Sequence, residues 1–183
     1  MTQRFKVKKV HEDAKLPVKA TTDAVGYDCF AVSMKVTDLY IEYDLGIIVV
    51  PEDPNYYVEV LPRSSVTKKH LMLKNSVGII DPDYRETIKV RFGTAEGLGI
   101  ISMIVEVEPD GEDGYIETGS VMNITRPIES DNKDMPLLEI YKVGERVCQL
   151  VIRERIQSEF YEVDELDETE RTGGFGSTGQ LEI

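Results

Sequence analysis

Short segments rich in Val, Ile and Tyr, cut apart by turn-prone clusters, set the strongest limit on what this chain can fold into. The segments are "YIEYDLGIIVV" (40–50), "NYYVEVLP" (55–62), "ETIKVRF" (86–92), "GIISMIVEVE" (99–108) and "ERVCQLVI" (145–152). Several alternate with period two, as in "YYVEV", so successive side chains point to opposite faces of a strand. The punctuation is "PEDPN", "DPD", "PDGEDG" and "ESDNKD", where Pro, Gly, Asp and Asn favour turns. No long stretch keeps a helical period, although "SSVTKKHLML" (64–73) has room for a short helix. Many short strands with such turns predict an all-β barrel or sandwich. There is no internal repeat.

At 183 residues, 41% hydrophobic and 30% charged, the chain reads as one soluble globular domain with a real core. No apolar run approaches a membrane span. The basic start, "MTQRFKVKKVHEDAKLP", lacks a signal-peptide core, so no export is expected. Two cysteines, Cys29 and Cys148, are too few for a disulfide framework and fit a reducing, cytoplasmic setting. A net charge of −13 argues against nucleic acid or a membrane surface as partner. An anionic small ligand is still allowed, given Arg, backbone N–H groups and a divalent cation. Two histidines, His11 and His70, give neither a zinc cluster nor a Ser-His-Asp arrangement.

Five stretches carry polar chemistry. "AVGYDCFA" (24–31) sets Asp28 in an apolar strand, where a lone carboxylate needs a partner, a metal or a water network. "LPRSSVTKKH" (61–70) places Arg63 beside Ser64 and Ser65, a set suited to phosphate oxygens or, for a serine, to capping the short helix. "NSVGIIDPDYRET" (75–87) holds Asp81 and Asp83 around Pro82. That is a tight turn, either plain surface or the mount of a general base. "GERVCQLVI" (144–152) sets Arg146 and Gln149 among strand residues. "GGFGSTG" (173–179) strings backbone N–H groups beside Ser177 and Thr178, a phosphate cradle without the Walker lysine. Ahead of it the acidic run "EFYEVDELDETE" (159–170) reads as an extended tether.

In that order the five stretches resemble the five motifs of the trimeric deoxyuridine triphosphatase (dUTPase) family, and "KKVHEDAKLPVKAT" is similar to its lead-in. The resemblance covers residues 5–92 and 141–179. It implies a distorted jelly roll (β-clip) with a short helix. It also implies a homotrimer with shared sites, Mg²⁺ as cofactor and hydrolysis of dUTP to dUMP and pyrophosphate. By motif match Asp81 would activate the attacking water and Tyr84 would exclude a 2′-hydroxyl. Asn75, Gly78 and Ile79 would read the uracil edge. Asp28 would hold the Mg²⁺ hydration shell; Arg63, Ser64 and Gln149 would contact the phosphates, with Arg146 in a pairing role and Ser65 a further substrate-binding candidate beside them. Phe175 would stack on uracil, while Arg171, Gly176, Ser177 and Thr178 would close over the β- and γ-phosphates.

Four departures stand out. "RTGGF" brings Arg171 one residue closer to Phe175 than in the family, Glu86 stands where Gly is general, and Ser65 replaces a frequent Gly. The fourth is an insertion at about 94–140 between the third and fourth motifs, whose alternating apolar pieces suggest an extra β excursion. The expected organisation is a β domain over 1–158 containing the insertion, then an acidic tether and glycine-rich lid over 159–183. The insertion either packs on the barrel or binds a protein partner, and such segments recur in phage-encoded relatives. Two rival readings remain open: a nucleotide-gated regulatory protein, and a dCTP deaminase. The second lacks its catalytic Glu, since Arg stands at position 91.

Overall fold

A computed structural model describes residues 2–37, 39–69, 71–94, 101–109, 115–124 and 140–169, with backbone only for the fourth and fifth of these ranges. Thirteen strands and one short helix are assigned among them. The strands are β1 (Phe5–Lys9), β2 (Val18–Lys19), β3 (Tyr27–Phe30), β4 (Ser33–Val36), β5 (Ile41–Asp44), β6 (Ile47–Pro51) and β7 (Tyr56–Pro62). They continue with β8 (Met72–Leu73), β9 (Gly78–Ile80), β10 (Lys89–Gly93), β11 (Ile101–Pro109), β12 (Tyr115–Ile124) and β13 (Arg146–Glu154). A 3₁₀ turn, Ser64–Lys69, fills the place expected of the short helix. The all-β expectation holds.

Four sheets result, with strand orders β1-β6, β4-β5-β10-β8, β11-β12 and β2-β3-β13-β7-β9. All their pairings are antiparallel. The single segment expected over 40–50 is two strands in two different sheets. Its alternation nevertheless runs straight through: Ile41, Tyr43, Leu45, Ile47 and Val49 are all buried. The break is a corner at Gly46, whose φ of 63° lies in the left-handed region. The Asp44 carboxylate accepts the Gly46 N–H at 2.8 Å and the Thr87 hydroxyl at 2.8 Å, which pins the corner. A Cβ on Gly46 would lie 2.8 Å from both His11 Cβ and a Val32 methyl.

Between the sheets sits one apolar cluster. Tyr43, Phe92 and Tyr141 form its aromatic centre, with ring centroids 5.7–6.2 Å apart and tilted or edge-on, the favoured geometry for π-systems. Burial pushes the Tyr43 phenol well above its ordinary value; it donates a hydrogen bond to the Tyr141 carbonyl at 2.8 Å. Between β10 and β13, β11 and β12 pair only with each other among the described residues. After β13, residues 155–169 carry no regular structure and are exposed throughout.

Candidate active site

Asp28 is the buried carboxylate that the sequence leaves in need of a partner, and it has two. Its side chain is 9% exposed. Arg63 Nε donates to Oδ1 at 2.8 Å and Arg63 Nη2 to Oδ2 at 3.3 Å, a bidentate fork. Arg146 Nη1 donates to Oδ2 at 3.1 Å. Arg63 Nη1 also reaches the Arg146 carbonyl at 3.4 Å, tying the two arginines together. Two guanidiniums against one carboxylate leave the cluster positive, with Arg63 and Arg146 28% and 45% exposed. Such a net-positive, partly exposed cluster can attract an anion.

The sheet explains how residues far apart in sequence meet. Gln149 on β13 stands opposite Asp28 on β3 and Leu61 on β7. Its amide donates to the Pro62 carbonyl at 3.1 Å, next to Arg63. Gly26 leaves the room: a Cβ there would strike Gln149 Oε1. Gly26 was not singled out from the sequence, although an isolated Gly in a strand pattern signals such close approach. Ser64 is exposed and Ser65 half-buried on the 3₁₀ turn that follows Arg63.

A second group occupies the other edge of the same sheet. Gly78, Ile79 and Ile80 pair with Val60, Glu59 and Val58. Gly78 rests against Val60, where a Cβ would sit 3.1 Å from the Val60 Cβ and 3.5 Å from Asn75 Nδ2. Ser76, at φ 60°, turns the chain into this strand, and the Val77 N–H closes on the Asn75 carbonyl at 2.6 Å. Beyond it Asp81 and Tyr84 bracket a turn, the Tyr84 N–H donating to the Asp81 carbonyl at 3.1 Å. Asp81 and Glu86 are exposed. Val77, Ile79 and Tyr84 leave 39%, 53% and 40% of their surface open, an apolar face beside an exposed carboxylate.

The two groups are apart within one chain. Asp81 continues β9 opposite the start of β7, whereas Asp28 lies three strands across and about four residues along. At standard strand spacings that is roughly 15–20 Å. Arg171, Phe175, Gly176, Ser177, Thr178 and His70 lie outside the described residues. Arg91, at the position where a deaminase needs its Glu, is held by Glu42 at 2.7 Å over the Tyr40 ring. Cys29 and Cys148 are buried free thiols opposite one another on β3 and β13. Among the described residues, no three His, Cys, Asp or Glu side chains gather into a metal cage, and no helix is long and apolar enough to cross a membrane.

The central sheet of this all-β chain bears a guanidinium cluster at one place and an apolar hairpin with an exposed carboxylate at another, groups that can meet an anion and a flat apolar surface. Comparison with known proteins gives the chain its family. The dUTPase family model matches residues 12–97. The Hydrogenobaculum deoxyuridine 5′-triphosphate nucleotidohydrolase is 34% identical, with 94% of this chain and 96% of the relative covered. The Arabidopsis thaliana enzyme of the same name is 33% identical, covering 96% and 82%. The enzyme of Escherichia phage T5 is 31% identical, covering 96% and 98%. A solved mutant dUTPase of Staphylococcus bacteriophage 80alpha, with dUpNHpp, superposes at a TM-score of 0.65 and 21% identity, covering 97% and 99%. The chain belongs to the dUTPase family.

Proposed function

We propose that the protein hydrolyses dUTP to dUMP and pyrophosphate, limiting uracil in DNA and supplying dUMP. The observation that carries this reading is the Asp28–Arg63–Arg146 cluster beside Gln149 and Ser64, in a chain matched to dUTP hydrolases over almost its whole length. Arg63 and Ser64 hold phosphate oxygens by charge-assisted hydrogen bonds, and Gln149 supports them. Ser65 stands at the same turn. Asn75 and the backbone at Gly78 and Ile79 read the uracil edge, whose acceptor-donor-acceptor pattern a strand can complement. Tyr84 is held by the Tyr84 hydroxyl bond to the Thr87 carbonyl at 3.4 Å; its ring lies under the sugar and refuses a 2′-hydroxyl. Asp81, exposed at its turn, takes the proton of the water attacking the α-phosphorus.

Mg²⁺ fits this donor set as a substrate-borne ion. Asp28 Oδ1 accepts one Arg63 hydrogen bond, so it keeps a lone pair for a metal-bound water, the usual role of a carboxylate beside a largely hydrated Mg²⁺. When bound, the ion supplies charge neutralisation across the phosphates.

The roughly 15–20 Å between Asp81 and Asp28 supports assembly of each site from different subunits of a homotrimer. The glycine-rich end then closes the site, Phe175 over uracil and Arg171, Gly176, Ser177 and Thr178 over phosphates. In this reading residues 1–158 form the β domain, 94–140 its insertion and 159–183 the tether and lid, with the reaction placed in the cytoplasm. A panel of dUTP, dCTP, dTTP and UTP with pyrophosphate and ammonia readouts tests the function. Pyrophosphate from dUTP is expected, with turnover lost at least ~10²-fold in Asp81→Asn. Intact dUTP after incubation with Mg²⁺ and enzyme refutes it; ammonia from dCTP assigns the deaminase instead.

A further inference from the structure

We propose that Tyr141 is a positioning residue for the phosphate-contacting turn Arg63–Ser65, acting through a hydroxyl pair with Ser65. The inference rests on the function proposed above. Tyr141 lies where the chain leaves the insertion, five residues before Arg146. It is 2% exposed, and its phenolic oxygen is 3.1 Å from Ser65 Oγ. A buried phenol needs such a partner.

The 3₁₀ turn is gripped at both ends by the same dipeptide. At one end Ser65 meets the Tyr141 hydroxyl. At the other Lys69, 9% exposed, donates Nζ to the Ile140 carbonyl at 3.1 Å and lies 4.9 Å over the Tyr141 ring. The dipeptide is itself fixed, because the Tyr141 carbonyl accepts from the Tyr43 hydroxyl at 2.8 Å and its ring packs on Tyr43 and Phe92. A six-residue 3₁₀ turn has poor hydrogen-bond geometry of its own. Its internal bonds, Val66 N–H to the Arg63 carbonyl at 3.0 Å and Thr67 hydroxyl to the Ser64 carbonyl at 2.9 Å, set its shape but not its place in the molecule. Arg63 is fixed by Asp28 and Val66 by the core; Ile140 and Tyr141 fix the stretch around Ser65 and Lys69. The Ser65 hydroxyl therefore serves the turn rather than the ligand, and holds Ser64 beside Arg63, ready for phosphate oxygens.

Tyr141→Phe deletes the hydroxyl and keeps the ring, so the core survives. Calorimetric titration of the full chain with inorganic triphosphate and, separately, with deoxyuridine reads the two halves of the site. Triphosphate is expected to bind about five- to tenfold more weakly to Tyr141→Phe and to Ser65→Ala, the range one hydrogen bond controls. The double variant is expected to be no weaker than either single one, with deoxyuridine binding unchanged. Unaltered triphosphate affinity in Tyr141→Phe, additive losses, parallel loss of deoxyuridine, or no triphosphate binding by the wild type would each overturn the assignment. Turnover on dUTP is scored separately, so an inactive wild type that still shows the coupled triphosphate losses would refute the catalytic reading alone.

Discussion

One carboxylate, Asp28, joins three strands' worth of chemistry. Its partners Arg63 and Arg146 are 35 and 118 positions away in sequence. Asp28→Asn keeps the shape and removes the charge, leaving two guanidiniums facing one another. We expect a loss of about 1–3 kcal/mol in urea unfolding and at least a tenfold fall in kcat/KM for dUTP, measured by pyrophosphate release. The need for a partner was legible in "AVGYDCFA", because a lone charge in an apolar strand is costly. The partners' identity was not, since it follows from strand register rather than local sequence. A different side chain governs alkaline stability. Burial raises the Tyr43 phenol above its ordinary value of 10.0. Below that pH both native and unfolded chains keep the proton; above it the unfolded chain releases it first. Stability should therefore fall by about 1.4 kcal/mol per pH unit from this group as pH climbs past 10, until Tyr43 itself ionises. Chemical denaturation between pH 8 and 11 checks it, with Tyr43→Phe expected to show a shallower slope.

At the scale of elements, glycine positions divide fold from site. Gly46 turns β5 into β6, and a side chain there meets His11 and Val32. Gly26 instead faces Gln149, whose amide end can swing away while its Cβ would stay 3.3 Å from the added methyl. Gly26→Ala should then keep its melting temperature within a few degrees while Gln149 leaves the Pro62 carbonyl. A several-fold rise in KM for dUTP is the expected outcome, and an unchanged KM would show that Gln149 does not support the phosphate contacts. Strands of four or more alternating residues, such as β7 and β13, were readable because apolar periodicity needs that length. The two- and three-residue strands β2, β8 and β9 carry no period, and only pairing defines them. The corner at Gly46 was hidden for the opposite reason: burial alternates unbroken through it, so the pattern reads as one strand.

For the whole molecule, the surface after β13 is the informative part. Ile156, Phe160 and Leu166 are 85%, 98% and 86% exposed, an unusual placing for apolar side chains in one stretch. The proposed homotrimer predicts that they pack against a neighbouring subunit. Light scattering should give three times the mass of 20.7 kDa, and Phe160→Ser with Leu166→Ser should loosen the arm and lower turnover without melting the β domain. A monomeric wild type would refute the shared-site arrangement. The exposure of the acidic run was legible in its charge, but nothing local in it names a surface it would meet.

The arginine pair also has a kinetic consequence. A chain of net charge −13 repels a polyphosphate at long range, while Arg63 and Arg146 attract it only at close quarters. Ions shorten the reach of the repulsion first, since the screening length is about 10 Å at 0.1 M. Capture of dilute dUTP should accordingly speed up as ionic strength rises from a few millimolar to about 0.1 M, then slow once screening weakens the contact itself. Stopped-flow association of a fluorescent nucleotide would trace that maximum, and a steady decline from the lowest salt would mean that the local cation field governs encounter from the outset.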